Sequence, residues 1–391
     1  MISTISMVSR RISTRKAVVA LIGAGAALLA ACGSSSSTPT TTSSTSPAVS
    51  VQSLQNWPTS AIQLTESGSS LLYPVFNNWV TSIKQRHPTI TIQTASTGSG
   101  KGISDAATGT ANIGASDAYL SNSELDQYPG LLNIPLAISA QQVNYNIPGL
   151  SIPNGGHLKL TGTILSDIYL GKITNWDDSQ IKSINPGATI PSVPIVTVHR
   201  AESSGDTFLF TSFLAATDPS GWGQKIPPGT TVAWPNVPGA VSATGNGGMV
   251  TACKSSPGCV AYIGISYLDQ ATAAGLGYAE LQNKSGNYVA PTTQTIAAAA
   301  ESFADSTPAS GAISMIYGPA SQGYPIVNYE YAIVLTKQPS AEIAQAVRAV
   351  LAWIIDPSGG NSSTYLDPVR FVALPSTVRQ ISVNLIAKLT S

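Results

Sequence analysis

The sequence predicts an α/β fold in which helices cover a sheet that contains parallel strand pairs. Three short runs rich in β-branched residues are typical of strands, and they lie at 89–94 (TITIQT), 195–198 (IVTV) and 331–336 (YAIVLT). A helix-like segment follows each run, at 103–108, 208–215 and 341–354. Strands that alternate with helices in this way predict α/β layers with parallel pairing. In such folds a ligand lies beyond the carboxyl ends of the strands, where helices begin.

Residues 1–31 are predicted to be an export signal. Four basic residues between positions 10 and 16 precede an uninterrupted apolar run at 17–31. A helix of about fifteen residues is too short to cross a hydrocarbon core of roughly 30 Å. A basic segment before a short apolar run is typical of a signal peptide.

Cys32 stands at the end of this run, in the segment 29–33 (LAACG). The segment resembles a bacterial lipobox, in which the cysteine receives a diacylglycerol and becomes the new N-terminus. The alternative is an ordinary cleavage site beside a chance cysteine. Because the cysteine directly follows a pair of small residues, we predict lipidation, which anchors a protein without a membrane-spanning helix.

Residues 32–51 are predicted to be a tether between this anchor and the folded part. From position 34 to 50 the chain is nearly all Ser, Thr and Pro, a composition that cannot bury a core. The folded part is therefore expected to start near Gln52. The remaining ~340 residues are enough for two domains of ordinary size.

The charge balance of the mature chain argues against a nucleic-acid partner. The chain has 19 Lys and Arg and 19 Asp and Glu residues, and four of the basic ones lie in the signal. The mature part therefore carries a small net negative charge, whereas nucleic-acid binding favours a basic stripe. An anion would have to be held by local donors rather than by bulk attraction.

Two further cysteines, Cys253 and Cys259, enclose a short loop with the sequence CKSSPGC. In an oxidising compartment this spacing predicts a disulfide that closes the loop. A zinc site is the rival interpretation, but no His or third Cys lies nearby to complete four ligands.

Three Gly- and Ser-rich turns are predicted to start helices, at 66–74, 96–103 and 200–208. Each offers unpaired backbone N–H groups and hydroxyls beside the positive end of a helix dipole. This combination binds tetrahedral oxyanions. A single Ser at such a position is most often only a helix cap. Three of these turns in one chain, one of which begins with Arg200, favour an oxyanion site.

Other chemistries find little support in the sequence. A P-loop would need Ser or Thr after Lys101 and a Gly six residues before it, where Gly102 and Ala95 stand. The Gly-x-Ser-x-Gly motif of serine hydrolases does not occur. The three histidines show no metal-ligand spacing, and they are His87, His157 and His199. We predict neither a metal nor a cofactor, and a structural role for His199.

The three turns resemble those of the PstS family, the phosphate-binding proteins of the Pst importers. The likeness runs from about Leu64 to near the C-terminus. Its supporting segments are 113–118 (IGASDA), 165–173 (LSDIYLGKI) and 175–177 (NWD). It is closest to the actinobacterial branch through 245–250 (GNGGMV), the cysteine loop and 261–264 (AYIG).

The resemblance implies a type II periplasmic-binding-protein fold, with two α/β lobes joined by two hinge strands. Lobe I would combine residues 60–141 with 329–391, and lobe II would hold 142–328. The strands would cross near 142–144 and 327–329. Hinge closure over the ligand is the usual response in such proteins.

The same resemblance implies which residues contact phosphate. Donors would come from all three turns, and the implied contacts are Ser70, Leu71, Ser99, Asp117, Arg200, Ser204, Gly205 and Asp206. Arg200 would fork to two phosphate oxygens. Lys101 replaces a Gly of the family, and we expect its side chain to point to solvent.

Asp117 is the unexpected member of an anion site, since it is a carboxylate. Its implied role is to accept a hydrogen bond from a protonated phosphate oxygen, and sulfate has no such proton at neutral pH. An unmet hydrogen bond and like charge reject a ligand strongly. Asp206 stands where the best-known family pattern has Thr. It would be a second acceptor, or it would only cap the following helix.

The predicted function is therefore capture of inorganic phosphate and its delivery to the permease of an ABC importer. The protein is expected to be a monomer that is lipid-anchored at the outer face of the cytoplasmic membrane. Two alternatives stay open: a binding protein for another oxyanion, and a phosphatase that uses the same cradle. A phosphatase would need a nucleophile with a base, or paired metals, and the sequence offers neither pattern.

Overall fold

Twelve strands form the framework of residues 49–391, the part of the chain that the computed structural model describes. They are β1 (Ile62–Gly68), β2 (Ile90–Ser96), β3 (Ile113–Ser116), β4 (Leu131–Asn146), β5 (Lys159–Leu160), β6 (Val196–Arg200), β7 (Val241–Ala243), β8 (Cys259–Gly264), β9 (Gly277–Tyr278), β10 (Glu280–Gln282), β11 (Tyr288–Val289) and β12 (Val327–Leu335). The predicted signal, Cys32 and the predicted tether up to residue 48 lie outside the described residues.

Thirteen α-helices surround these strands in the same part of the chain. They are α1 (Val51–Leu54), α2 (Tyr73–Arg86), α3 (Ser99–Ala107), α4 (Asn122–Gln127), α5 (Gly162–Tyr169), α6 (Ser179–Ile184), α7 (Gly205–Thr217), α8 (Gly245–Ser255), α9 (Leu268–Ala273), α10 (Thr293–Glu301), α11 (Ala341–Ile355), α12 (Ser363–Leu366) and α13 (Ser376–Ile386). None of the helices in residues 49–391 is both long and apolar enough to cross a membrane.

One mixed sheet contains most of the strands, in the order β2-β1-β3-β12-β4-β8-β6-β7, with β9 paired to β4. β1 runs parallel to β2 and β3, and β6 runs parallel to β7 and β8. The predicted parallel pairing is confirmed in these two groups. Between them, β12 is antiparallel to both β3 and β4, and β4 is antiparallel to β8. A small second sheet has the order β11-β10-β5.

The long strand β4 belongs to both groups of parallel strands. Its residues 131–140 pair with β12, and its residues 141–146 pair with β8. We call β1, β2, β3, β12 and the start of β4 the first half-sheet, and the end of β4 with β6, β7 and β8 the second half-sheet. The predicted crossings, 142–144 and 327–329, lie in β4 and at the start of β12.

The structure confirms the strands and helices that the sequence patterns predict. The three predicted strands appear as β2, β6 and β12, and the three predicted helices appear as α3, α7 and α11. The boundaries differ most at the starts of α3, which begins at Ser99 rather than at residue 103, and of β12, which begins at Val327 rather than at residue 331. At α3 the difference arises because part of the Gly-rich turn is itself the first turn of the helix.

The helix α1 joins the N-terminal end of the described chain to the C-terminal helices. Ser50 caps it by accepting a hydrogen bond from Ser53 N at 3.1 Å, and Val51 is buried. Just after the helix, Gln55 Nε2 donates to Asp356 Oδ2 at 2.7 Å. The helix starts at Val51, which is the last residue of the predicted tether.

Cys253 and Cys259 lie at disulfide-bonding distance, with their Cα atoms 5.2 Å apart. Cys253 is near the end of α8 and Cys259 is the first residue of β8, so the bond links two consecutive elements of the second half-sheet. Both residues are fully buried.

Asn361 fixes the loop between α11 and α12 against the first half-sheet. Its Nδ2 donates to Leu136 O at 2.7 Å and to Ile354 O at 2.9 Å, and its Oδ1 accepts from Leu374 N at 2.9 Å. The side chain is buried, so water does not replace these bonds when the amide is removed.

The change Asn361→Ala is expected to lower the free energy of unfolding by about 3 kcal/mol, because three backbone groups lose a buried partner. Urea denaturation of the wild type and the variant measures the difference. The matched control is Asn384→Ala on the exposed face of α13, expected to change stability by less than about 0.5 kcal/mol. Equal losses in the two variants would contradict the bridging role of Asn361.

Candidate functional site

The first predicted turn leads into α2, and Ser69 accepts hydrogen bonds in this turn as a cap would. Leu72 N donates to Ser69 Oγ at 2.9 Å, and Tyr73 N donates to Ser69 O at 3.1 Å. Ser70 and Leu71 therefore follow the cap in the first turn before α2. Their N–H groups donate to no acceptor within residues 49–391, as is expected where a helix starts.

The second turn brings Ser99 against Asp117. Gly98 has a φ of +91°, a conformation that favours glycine, and Gly98 N donates to Gly68 O at 2.8 Å. This bond ties the turn to the end of β1, and Gly102 of α3 lies so close to this end that an added Cβ would be 2.6 Å from Ser67 O. Ser99 Oγ then accepts from Asp117 N at 3.2 Å and lies 3.3 Å from Asp117 Oδ2.

The third turn faces the second one directly. Ser204 caps α7 by accepting from Asp206 N at 3.2 Å. The next residue, Gly205, packs so closely that an added Cβ would lie 2.6 Å from both Asp117 Oδ2 and Ser99 Oγ. A side chain at position 205 would therefore hold the turns of the two half-sheets apart.

The first turn contacts the start of α8, an interaction that the sequence did not predict. Ser70 Oγ accepts from Asn246 N at 3.2 Å and from Asn246 Nδ2 at 3.0 Å. Ser266 Oγ donates to Leu71 O at 2.7 Å. Asn246 belongs to the segment 245–250, which the sequence connects to the site only through family likeness. Its position at the start of a helix is the feature that could have identified it as a site residue.

Arg200 is a buried cation at the end of β6, flanked by two carboxylates. Its Nη1 donates to Asp206 Oδ2 at 2.6 Å, its Nε donates to Glu202 Oε1 at 2.7 Å, and its Nη2 also contacts Glu202. Burial opposes the charge on Arg200, but Asp206 and Glu202 together raise the pKa of its guanidinium. The backbone is held as well, since Arg200 N donates to Tyr262 OH at 2.9 Å.

Asp206 is fully buried and its carboxylate has three side-chain partners. Besides Arg200, Asn246 Nδ2 donates to Oδ2 at 2.7 Å and Gln141 Nε2 donates to Oδ1 at 3.1 Å. Since Ser204 provides the cap of α7, the side chain of Asp206 serves here to anchor Arg200. Gln141 lies on β4. The sequence-based prediction also missed this residue, because it belongs to no motif that indicates a binding site.

Asp117 follows the end of β3 and is buried beside these groups. Ser69 Oγ donates to its Oδ1, and Asn328 Nδ2 donates to its backbone oxygen at 3.2 Å. Burial raises the pKa of Asp117 to about 7, with a further increase from the negative charge of Asp206. Hydrogen bonds from Ser69 and Glu330, and the charge of Arg200, act in the opposite direction.

All eight residues expected at the phosphate site therefore lie where the three turns meet, and their contacts link them into one cluster. We call this cluster of Ser70, Leu71, Ser99, Asp117, Arg200, Ser204, Gly205 and Asp206 the turn cluster. Lys101 lies outside the cluster, since its exposed side chain pairs with Asp105 on the same helix. His199 stacks on Trp234 with ring centroids 4.9 Å apart. Within residues 49–391, no group of three or more His, Cys, Asp or Glu side chains could hold a metal ion.

Comparison with known proteins gives the family of this chain. Residues 35–358 match the model of the PBP superfamily domain. The phosphate-binding protein PstS of Methanocaldococcus jannaschii is 33% identical over 353 residues, covering 86% of this chain and 88% of the relative. The chain belongs to the PstS family. Phosphate-binding protein PstS 3 of Mycobacterium leprae is 28% identical and covers 93% of this chain and 95% of its own length.

Solved structures confirm the predicted fold class of this PstS-family chain. A high-affinity periplasmic phosphate-binding protein, PfluDING, determined with bound phosphate, superposes with a TM-score of 0.64. The match covers 81% of this chain and 92% of the other, at 23% sequence identity. The two proteins thus share the type II periplasmic-binding-protein fold.

The buried position of Asp117 leads to a pH prediction for the ligand-free protein. Its carboxyl is expected to titrate with a midpoint near 7, as its pKa is raised to about 7. Asp206→Asn is expected to lower this midpoint, because it removes the negative charge that opposes ionisation of Asp117. The pH dependence of the carboxyl ¹³C shift of Asp117, assigned with an Asp117→Asn sample, measures the midpoint in the wild type and in Asp206→Asn.

The control for this titration is Asp126→Asn, a change at an exposed position on α4 that is expected to leave the midpoint unaltered. A midpoint near the ordinary Asp value of about 3.9 would show that burial does not control this carboxyl.

Proposed function

We propose that this protein binds inorganic phosphate outside the cytoplasmic membrane and delivers it to the permease of an ABC importer. The observation that carries the proposal is the combination, in one buried cluster, of oxyanion donors with a carboxyl acceptor. A ligand that satisfies both must be an anion that still carries a proton. Monohydrogen and dihydrogen phosphate have this property, and sulfate at neutral pH does not.

The donors of the turn cluster suit a tetrahedral anion. A guanidinium has five N–H groups, and three of those of Arg200 are engaged by Asp206 and Glu202. One N–H on each terminal nitrogen has no partner in the described part of the chain, and these two form a fork. Such a fork matches two oxygens of one phosphate. The N–H groups of Ser70 and Leu71 and the hydroxyl of Ser99 supply further donors.

Asp117 supplies the selectivity in this proposal. As an ionised acceptor it stabilises a protonated phosphate oxygen, whereas a fully ionised sulfate would leave the buried carboxylate without a donor. Sites built around one buried hydrogen bond reject analogues that lack it by several orders of magnitude. Asp206 adds to the rejection through its charge, while its own bonds hold Arg200.

The two half-sheets are proposed to act as lobes that close over the ligand. Lobe I would hold residues 60–141 and 329–391, and lobe II residues 142–328, with β4 and β12 as the connecting strands. The contacts of Ser70 with Asn246 and of Gly205 with Asp117 cross from one half-sheet to the other, as hinge closure requires.

The cellular setting is part of the proposal. The signal at 1–31, a lipid on Cys32 and the Ser/Thr/Pro-rich tether would hold a monomer at the outer face of the cytoplasmic membrane. The naming of its relatives as phosphate-binding proteins supports a binding role rather than turnover. We therefore propose that it has no phosphatase activity, which a hydrolysis assay on the mature protein tests directly.

Titration calorimetry of the mature protein with phosphate, arsenate and sulfate tests the proposed ligand. Phosphate and arsenate, which both retain a proton at pH 7, are expected to bind, and sulfate is not. Tight binding of sulfate with none of phosphate would instead support the alternative of another oxyanion.

Asp117→Asn is expected to lower the ratio of phosphate to sulfate affinity by about 100-fold or more, because the amide no longer requires a protonated ligand. The amide is close in size to the carboxyl, so unfolding midpoints of the variant and the wild type should agree. Calorimetry at pH 7 measures the ratio, with Asp126→Asn as the matched control. An unaltered ratio would show that Asp117 does not select the ligand.

A further inference from the structure

Glu330 is a fully buried acid in β12, the strand that lies between β3 and β4 in the sheet. In the pairing of β12 with β3, Tyr331 lies opposite Ser116. This register brings the preceding residue, Glu330, beside Asp117. The pairing of β12 with β4 shifts at this point, because β4 has one extra residue, Leu136, opposite the step from Glu330 to Tyr331.

One oxygen of the Glu330 carboxyl has conventional partners and the other does not. Oε1 accepts from Ser139 Oγ at 2.5 Å and from Asn328 Nδ2 at 3.0 Å. Within residues 49–391, no N–H or O–H group outside a carboxyl donates to the buried Oε2. Asn328 Nδ2 joins this acid to its neighbour, since it donates both to Glu330 Oε1 and to the backbone oxygen of Asp117. Two carboxyls buried side by side do not both ionise readily, so one of them keeps a proton that it can donate to the other.

The surroundings decide which of the two acids holds the proton. Burial and the charge of Asp117 raise the pKa of Glu330 well above its ordinary range, despite the bonds from Ser139 and Asn328. Asp117 has more partners that favour ionisation, since Ser69 donates to it and Arg200 lies nearby, although Asp206 opposes them. Tyr331, the neighbour of Glu330 on its own strand, is also buried and its pKa is raised well above its ordinary range by burial. These surroundings favour the proton on Glu330 over Asp117.

We propose that Glu330 is a positioning residue of the anion site, whose protonated carboxyl donates to Asp117 and keeps Asp117 in its ionised, accepting form. Glu330 itself touches no ligand in this arrangement. The selectivity part of the inference rests on the proposed function, but the proton arrangement is a property of the ligand-free protein.

Two substitutions at position 330 separate a hydrogen-bond role from a packing role. Glu330→Gln keeps an acceptor for Ser139 and Asn328 and presents an N–H donor to Asp117. The Met side chain in Glu330→Met has a similar length but offers neither an acceptor for Ser139 and Asn328 nor a donor for Asp117. Without a donor the pKa of Asp117 rises, so more of it is protonated at pH 7 and sulfate is tolerated. An increase of one unit in the pKa of Asp117 lowers the ratio of its ionised to its protonated form about tenfold at a fixed pH.

The first readout is the ratio of phosphate to sulfate affinity, measured by calorimetry as a function of pH. The Gln variant is expected to follow the wild type. The Met variant is expected to show a ratio about tenfold lower at pH 7 and a profile displaced upward by about one pH unit. Glu301→Gln, at an exposed position on α10, is the matched control with no expected effect. A Met variant with the wild-type profile would overturn the proposal.

The second readout needs neither ligand nor the Met variant, and it decides the question if that variant fails to fold. Infrared spectra of the ligand-free wild type at pH 7 should contain the C=O band of a protonated carboxyl from Glu330. Glu66, whose pKa is raised to about 8 by burial, and Asp117, whose pKa is raised to about 7, contribute the same kind of band. Because Glu330→Gln still presents a donor to Asp117, both contributions are expected to be equal in the two proteins. Glu330→Gln should therefore weaken the band without abolishing it, whereas Glu301→Gln should not change it.

The infrared readout fails independently of the proposed function, whereas the affinity readout requires phosphate binding. An unchanged band in Glu330→Gln would show that Glu330 is ionised and would overturn the inference, even if phosphate binds. Absence of phosphate binding by the wild type, together with a weakened band, would refute the proposed function and leave the proton on Glu330.

Discussion

The buried ion pair between Arg200 and Asp206 is the interaction on which the rest of the site depends. A guanidinium inside a protein is tolerated only when carboxylates and further hydrogen bonds compensate for lost water. Here Asp206 and Glu202 supply the charge, and the partners of Asp206 come from β4 and α8. Removing one member would leave the others as unpaired buried charges. The second half-sheet is thus built around a cation that stays available although the mature protein is acidic overall.

The arrangement also explains how an anion site contains several acids. Asp206 and Glu202 face Arg200, and Asp117 and Glu330 face each other, so each carboxyl has a definite partner. In the proposed function, a phosphate at Arg200 would add negative charge to this group, and a proton on the ligand would offset part of it. Asp117 would be the acid that requires this proton, since it contacts Ser69 and Ser99 of the first two turns.

Local sequence patterns were enough to predict the helix starts and the residues on them, because capping and glycine conformations are properties of a few consecutive residues. The same reasoning found β2, β6, β12 and the helices that follow them. It missed Gln141 and Asn246, because their importance comes from partners that are distant in the sequence. The family resemblance supplied Asp117 and Asp206, which composition and periodicity alone do not single out.

The connecting strands contain the two polar residues that link the acids of the site to the framework. Gln141 lies in β4 where its pairing changes from β12 to β8, and it donates to both the backbone and the carboxylate of Asp206. Glu330 lies in β12 beside Asp117, and the neighbouring Asn328 donates to the backbone oxygen of Asp117. The negative charge of Asp206 in turn raises the pKa of Asp117. Because Asp117 is attached to β12 and Asp206 to β4, the pairing of these two strands sets the distance between the acids and with it the ionisation of Asp117.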